Sequence, residues 1–454
     1  SRFKEANHDK KGLGLYANLF LTWLTNIVVD NDRLGARTRP LDEIDFEKRG
    51  WVPYSGWPFD KTHLDPYYER AQSIFKLGAY TYDVDDWEDP EKTPRLPFRN
   101  DRVKTAIFQF GTRDTFINDH RDEITRADNI STYLYANAVE LETNETAQTA
   151  TRLRVACLGG NQFWVRARLF VLAMGAIETP RLLLLSNNVQ SAGLGNQHDL
   201  VGRFFMEHPH LWSGVYIPSS PSLFDSTALY RIHTANGIPI QGKLTIAEDV
   251  LRQEQLLNYC VSIHPSTWPG RLKDQNHLSK EVGSPKALSA VRKWERFLDK
   301  YKFPKVEVFQ LNTMSEQAPN PHSRVTLAAE RDALGQNRVR LDWQLSALDI
   351  RSIVRAQEII DEELGRAGLG CLHIELDGET PPPDLHGGWH HMGTTRMHVD
   401  PKQGVVDENC QVHGISNLFV AGPSVFPTGG YVNPVLNIIA LVVRLADYVK
   451  EFMI

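Results

Sequence analysis

The stretch from Asn417 to Asp447, NLFVAGPSVFPTGGYVNPVLNIIALVVRLAD, constrains the fold more than any other part of the chain. A short apolar run ends at Ala421-Gly422, and a loop rich in Pro and Gly follows. Pro434 then opens a segment that is apolar nearly all round. A continuously apolar strand needs cover on both faces, and a helix without a polar face needs burial. The pattern therefore predicts a strand, a loop and a helix inside an α/β core. Asn433-Pro434 is a helix-start signal, because Asn can cap and Pro has no N–H to leave unpaired. A buried helix N-terminus presents free N–H groups and partial positive charge, which suit an anion or an electron-rich ring edge. An ordinary Asn cap on a core helix fits the same residues. Gly422, lacking a side chain, permits close backbone approach to a ligand.

At 454 residues the chain exceeds what one hydrophobic core usually serves, so two interleaved domains are expected. Residues 36–100 are dense in Trp, Tyr and Pro and read as an ordered excursion of loops and short helices. ISTYLYANAVELET and RLRVACLG read as strands. FWVRARLFVLAMGA runs from alternation into a continuously apolar strand that stops at Gly175. A helix is expected next, with Thr179 as cap and Pro180 at its first position. Residues 213–345 alternate short β-like runs with Pro/Gly punctuation, which predicts an antiparallel sheet, with one helix around Ala287–Tyr301. A helix over 347–367 should close on Gly368. The order α/β, antiparallel insert, α/β implies one domain interrupted by another.

Several function classes drop out. A net charge of −6 argues against nucleic acid as the main partner, which would want a basic face. The four cysteines, Cys157, Cys260, Cys371 and Cys410, are far apart and form no C-x-x-C, so neither a zinc site nor a disulfide scaffold is indicated. No segment reads as a membrane span: Leu15–Val29 is short and interrupted by Asn18, Thr22, Thr25 and Asn26, and Arg444 and Asp447 break the C-terminal run. A second C-terminal stretch, Trp389-His390-His391-Met392-Gly393-Thr394-Thr395-Arg396-Met397, carries adjacent histidines. They make a poor metal pair, because neighbouring side chains diverge and no i, i+4 partner accompanies them.

These stretches resemble, in order, the segments of the glucose-methanol-choline (GMC) flavin oxidoreductases. RTRPLDEIDF and SGWPFDKTHLDPYYERA come first, then GAIETPRLLLLSN (Gly175–Asn187), with Ser186-Asn187 where the family has Ser-Gly. LVGRFFMEHPH (Leu200–His210), EQAPNPHSRVTL (Glu316–Leu327) and the two C-terminal stretches complete the series, from about Arg37 to the end. The resemblance implies a Rossmann-like FAD-binding domain interrupted by a substrate domain on an antiparallel sheet. It divides the chain into 1–100 (an incomplete N-terminal part of the FAD domain plus an extended lid segment), 101–212 (FAD-binding), 213–375 (substrate-binding) and 376–454 (the C-terminal FAD part with the active site). It also implies FAD as cofactor and oxidation of an alcohol carbon by hydride transfer to flavin N5. By the family's H-x-x-G-T pattern the catalytic base is His390, and its partner is Asn433. His391 becomes a candidate substrate contact. FAD contacts are implied at Val139, Ala173, Gly175, Gly422, Asn433, Pro434 and Val435. The substrate would be a small alcohol, sugar or polyol, and the electron acceptor oxygen, a quinone or a cytochrome.

The family's ADP-binding unit has no clear counterpart. KGLGLYA places Gly-x-Gly-x-x-Ala at Gly12, and Asp30 lies where a ribose-binding acid is wanted. The preceding RFKEANHDKK is polar where a buried strand is required. The leading expectation is thus the bulk of a GMC alcohol oxidoreductase without that N-terminal unit. A relic or partner subunit that holds no FAD, and an isomerase or lyase with a GMC-like flavin site, are the alternatives.

Overall fold

The computed structural model describes residues 4–5, 34–112, 115–268, 306–376, 381 and 385–453. KGLGLYA and the helix expected around Ala287–Tyr301 lie outside them.

Among the described residues a nine-stranded sheet dominates. Its main path runs Gly370–Ile374, Pro209–Pro218, Val306–Ser315, Tyr259–Trp268, Ile238–Ile246, Val103–Thr112 and Leu34–Thr38, with His233–Ala235 and His386–Gly387 attached as short strands. Every described pairing in it is antiparallel. The antiparallel insert expected for 213–345 is present, but the boundary at 213 does not coincide with the sheet. Leu34–Thr38 and Val103–Thr112 come from upstream and form its edge. One face is closed by the helix Ala347–Ala367, whose Ile353, Ala356, Ile360 and Leu364 pack with Leu211, Val261, Phe309 and Leu311. Ser346 and Asp349 form a capping box at its start, and Gly368, at φ +71°, closes it in the left-handed region.

The α/β part sits behind this sheet. Phe170–Leu172 pairs in parallel with Leu418–Val420. A meander of Asn137–Thr143, Ala150–Ala156 and Gln162–Val165 lies beside them. The terminal helix Val435–Met453 packs against Lys61–Ile74, burying Leu64, Tyr68 and Ala71 with Leu436, Ala440 and Leu441. Tyr68 donates from its hydroxyl to Asn437 Oδ1 at 2.5 Å, and the Leu41 N–H shares that acceptor at 3.1 Å.

Two local expectations are corrected. FWVRARLFVLAMGA forms two strands, because Arg166 and Arg168 cannot enter a buried core and the chain turns there. Val171 remains 44% exposed between the buried Phe170 and Leu172, so the second strand is not covered on both faces by the described residues. The helix after it starts at Gly175, so Pro180 lies inside it and Thr179 does not cap it.

Candidate active site

That internal proline has a consequence. Pro180 has no N–H for the carbonyl four residues earlier, at Ala176, which must find another donor. Thr394 supplies it: its hydroxyl donates to the Ala176 carbonyl at 2.7 Å. The HHMGTT stretch is thereby fastened to the helix Gly175–Leu185. It is also laced to the loop after Gly422. The N–H groups of Gly393, Thr395 and Met397 donate to the carbonyls of Pro423, Ser424 and Val425 at 3.2, 2.8 and 2.8 Å. Gly393 makes the crossing possible. Its φ is +86°, and a Cβ there would stand 2.2 Å from the Phe204 carbonyl oxygen.

The lacing brings His390 and Asn433 together. His390 Nε2 lies 3.1 Å from Asn433 Nδ2, and His390 Nδ1 lies 2.8 Å from His208 Nδ1. His208 Nε2 reaches the Gly429 carbonyl at 3.3 Å. The His390 backbone N–H donates to Glu207 Oε2 at 2.8 Å, while Glu207 Oε1 faces His391 Nε2 at 3.1 Å. His391 thus turns to Glu207 and Phe205, on a different side from His390. His210, one strand position into Pro209–Pro218, sits with its ring 5.9 Å from that of His390. Space here is tight: a Cβ on Gly388 would fall 2.5 Å from His210 Nε2 and 3.0 Å from His390 Nδ1.

Burial holds His390 well below the usual histidine range, and His208, Arg37, His391 and Lys243 add to that effect. Burial does the same to His210, with His390 as the next cause, and it lowers His208. All three rings are therefore neutral at neutral pH. Asn433 Oδ1, His210 Nε2 and the Tyr431 hydroxyl are buried polar atoms with no hydrogen bond among the described residues. Such atoms mark a place where a ligand can complete the bonding. Sequence reasoning assigned roles to neither Glu207, His208 nor His210. The signal was available in MEHPH, where an acid and two histidines interrupt an apolar run just before a strand.

Residues 319–441 match the family model described as GMC oxidoreductase. The chain is 28% identical over 296 residues to 2-methyl-1,2-propanediol dehydrogenase of Mycolicibacterium austroafricanum, covering 64% of this chain and 49% of the relative. It is 27% identical over 287 residues to the fructose dehydrogenase large subunit of Gluconobacter japonicus, covering 62% of this chain and 47% of the relative. Residues 319–441 are those of a GMC oxidoreductase, and these relatives support a GMC family member. A formate oxidase variant of Aspergillus oryzae, with 17% sequence identity, shares the fold at a TM-score of 0.50 over 91% of this chain and 82% of that one. The chain spans about half the length of the curated relatives it matches first.

FAD is the cofactor of the GMC family. Of the residues that the family likeness nominates for it, Ala173, Gly175 and Gly422 follow the ends of the paired parallel strands. Gly422 is buried at φ +132°, yet a Cβ built on it would meet nothing within 4 Å, so open space adjoins its backbone. The Ala421 N–H donates to the Leu172 carbonyl at 2.8 Å, placing Ala173 at the same strand end as Gly422. Ala173 is exposed, whereas Gly175 is buried at φ +70° as the helix begins. Val139 is skipped in the ladder, since Ala138 pairs with Val155 and Glu140 with Arg154. This bulge withdraws the Val139 backbone from regular pairing, a common device beside binding sites. Pro434 immediately precedes the helix that starts at Val435. The Val435 side chain packs on Ala36 and Phe75, so only its backbone can serve a ligand. Open space at Gly422, the bulge at Val139 and the unpaired Asn433 oxygen fit a flat polar ring system with an extended tail.

Proposed function

We propose that the chain catalyses FAD-dependent oxidation of a CH–OH group in a sugar or polyol, with His390 as base and Asn433 as its partner. The observation that carries this reading is the 3.1 Å contact between His390 Nε2 and Asn433 Nδ2, with both groups beside unpaired buried polar atoms. An alcohol releases hydride readily only as its proton leaves, so the hydroxyl needs a base within hydrogen-bond reach. His390, held neutral by burial and its cationic neighbours, offers an imidazole lone pair for that proton. A positioned base of this kind is worth ~10²–10⁴-fold in rate. The Asn433 amide donates to the oxygen as negative charge develops, without changing its own charge.

Bound FAD would supply the hydride acceptor, held by the backbones around Val139, Ala173, Gly175, Gly422 and the helix start at Pro434-Val435. His391, engaged by Glu207, is offered as a substrate contact at the rim rather than as a base. The antiparallel unit within 213–375 would shape the substrate pocket. The sugar or polyol class is supported by relatives named as a propanediol dehydrogenase and a fructose dehydrogenase subunit. The test is an absorption spectrum of the purified chain, as isolated and after FAD addition, then under anaerobic titration with sugars and polyols. Yellow protein bleached by one of these alcohols is expected. Protein that stays colourless with FAD, or bound flavin that no alcohol bleaches, overturns the reading. Re-oxidation by oxygen, a quinone or a cytochrome then identifies the acceptor.

A further inference from the structure

We infer that His208 is a positioning residue that locks His390 in the tautomer with its proton on Nδ1 and its lone pair on Nε2. The inference deepens the proposed function, since it assigns His208 to the same base. The proton order follows from the acceptors at each end of the chain of contacts. The Gly429 carbonyl can only accept, so its 3.3 Å contact requires the proton of His208 on Nε2. A neutral His208 then has a bare Nδ1. The Nδ1–Nδ1 separation of 2.8 Å requires one donor, and the only nitrogen left to donate is His390 Nδ1. That strips Nε2 of His390, which is where Asn433 Nδ2, a donor, lies at 3.1 Å. Asn433 fits that tautomer but does not impose it, because its amide can present either Nδ2 or the unpaired Oδ1 to the ring; the contact with His208 is what fixes the proton.

The surroundings keep the pair neutral. His208 and His390 are buried, and the charged or titratable groups acting on them are Glu207, Glu316, His210, His391, Arg37 and Lys243. His208 cannot drift, because it is followed by Pro209 at the start of a central strand and faces Gly429. A Cβ on Gly429 would sit 3.5 Å from His208 Nε2 and 2.6 Å from Met392 Cε, so the loop is packed onto the ring. Without His208, nothing else described bonds His390 Nδ1, and the ring could carry its proton on the nitrogen that must receive the substrate's.

The test is ¹⁵N NMR of the full chain labelled at histidine, at neutral pH and without alcohol, with the His390 signals identified by their loss in His390→Gln. Wild type should show His390 protonated on Nδ1 and bare on Nε2. His208→Asn, whose side-chain oxygen can stand where Nδ1 stood, should keep that state, and His208→Leu should populate both tautomers. A wild-type His390 carrying its proton on Nε2, or a His208→Leu spectrum identical to wild type, overturns the inference. The wild-type measurement decides even if a variant fails to fold. In FAD-loaded protein, His208→Leu should lower kcat for alcohol oxidation by ~10–100-fold with KM little changed, and His208→Asn should recover most of it. The tautomer is read with no alcohol present. A protein that shows Nδ1–H at His390 yet oxidises no alcohol refutes the proposed function and leaves the His208 assignment standing.

Discussion

Glu207 offers a quantitative check of how the site is held. It is 4% exposed, with Oε2 accepting the His390 N–H at 2.8 Å and Oε1 set 3.1 Å from His391 Nε2. Gly387 presses on it, since a Cβ there would lie 2.7 Å from the Glu207 carboxyl carbon. Only a side chain of the same shape can therefore take its place. Glu207→Leu leaves a buried backbone N–H without an acceptor, which costs ~1–3 kcal/mol, and loses a charge-assisted bond as well. Glu207→Gln keeps an oxygen for the His390 N–H and turns its NH₂ toward His391 Nε2, sacrificing only the charge. The leucine variant should thus be less stable than the glutamine variant by ~1–2 kcal/mol. Urea unfolding followed by tryptophan fluorescence measures the gap, and amide exchange at His390 localises it. Equal midpoints for the two variants, or a leucine variant as stable as wild type, would refute the claim that Glu207 holds His390 through its backbone.

Three further outcomes are expected. In FAD-loaded protein, His390→Gln should abolish alcohol-dependent bleaching, and Asn433→Ala should slow it ~10²–10³-fold while near-ultraviolet circular dichroism stays unchanged; near-normal bleaching in either removes that residue from the chemistry. Gly393→Ala should destabilise the chain by ~1–3 kcal/mol from its φ of +86° alone, and by more through the 2.2 Å approach to the Phe204 carbonyl, as read from thermal unfolding. Stability should also fall in acid. His208, His210 and His390 have folded-state values below the ordinary 6.5, so below about pH 6.5 the unfolded chain takes up protons that the native chain refuses. Stability present above that pH is lost as pH falls toward the folded values, at about 1.4 kcal/mol per pH unit for each such histidine. Urea midpoints between pH 8 and 5 should show this, and His210→Leu should flatten the acid limb.

How much of this was legible depends on whether the signal is local. The helix Ala347–Ala367 and its Gly368 cap were readable because period, cap and terminator all lie within one segment. The antiparallel nature of the insert followed from alternation, but alternation does not say which strands meet. Hence Leu34–Thr38 and Val103–Thr112 joined the large sheet unannounced. Motif likeness nominated His390 and Asn433, which the structure brings within 3.1 Å, whereas Glu207 and His208 were given no role although MEHPH offered a signal. Their roles exist only where a segment 182 residues away crosses them. Pro180 shows the physical reason most clearly. Read locally, Pro after Thr is a helix start, and the expectation placed it there. In the fold it is a proline inside a helix, and the defect is filled from outside by the Thr394 hydroxyl. A carbonyl left open by Pro180 is therefore one of the points that fix where HHMGTT crosses the core. Thr394→Val should speed amide exchange at His390, although the Thr394 hydroxyl bonds Ala176 and not His390; exchange as slow as in wild type would refute this coupling.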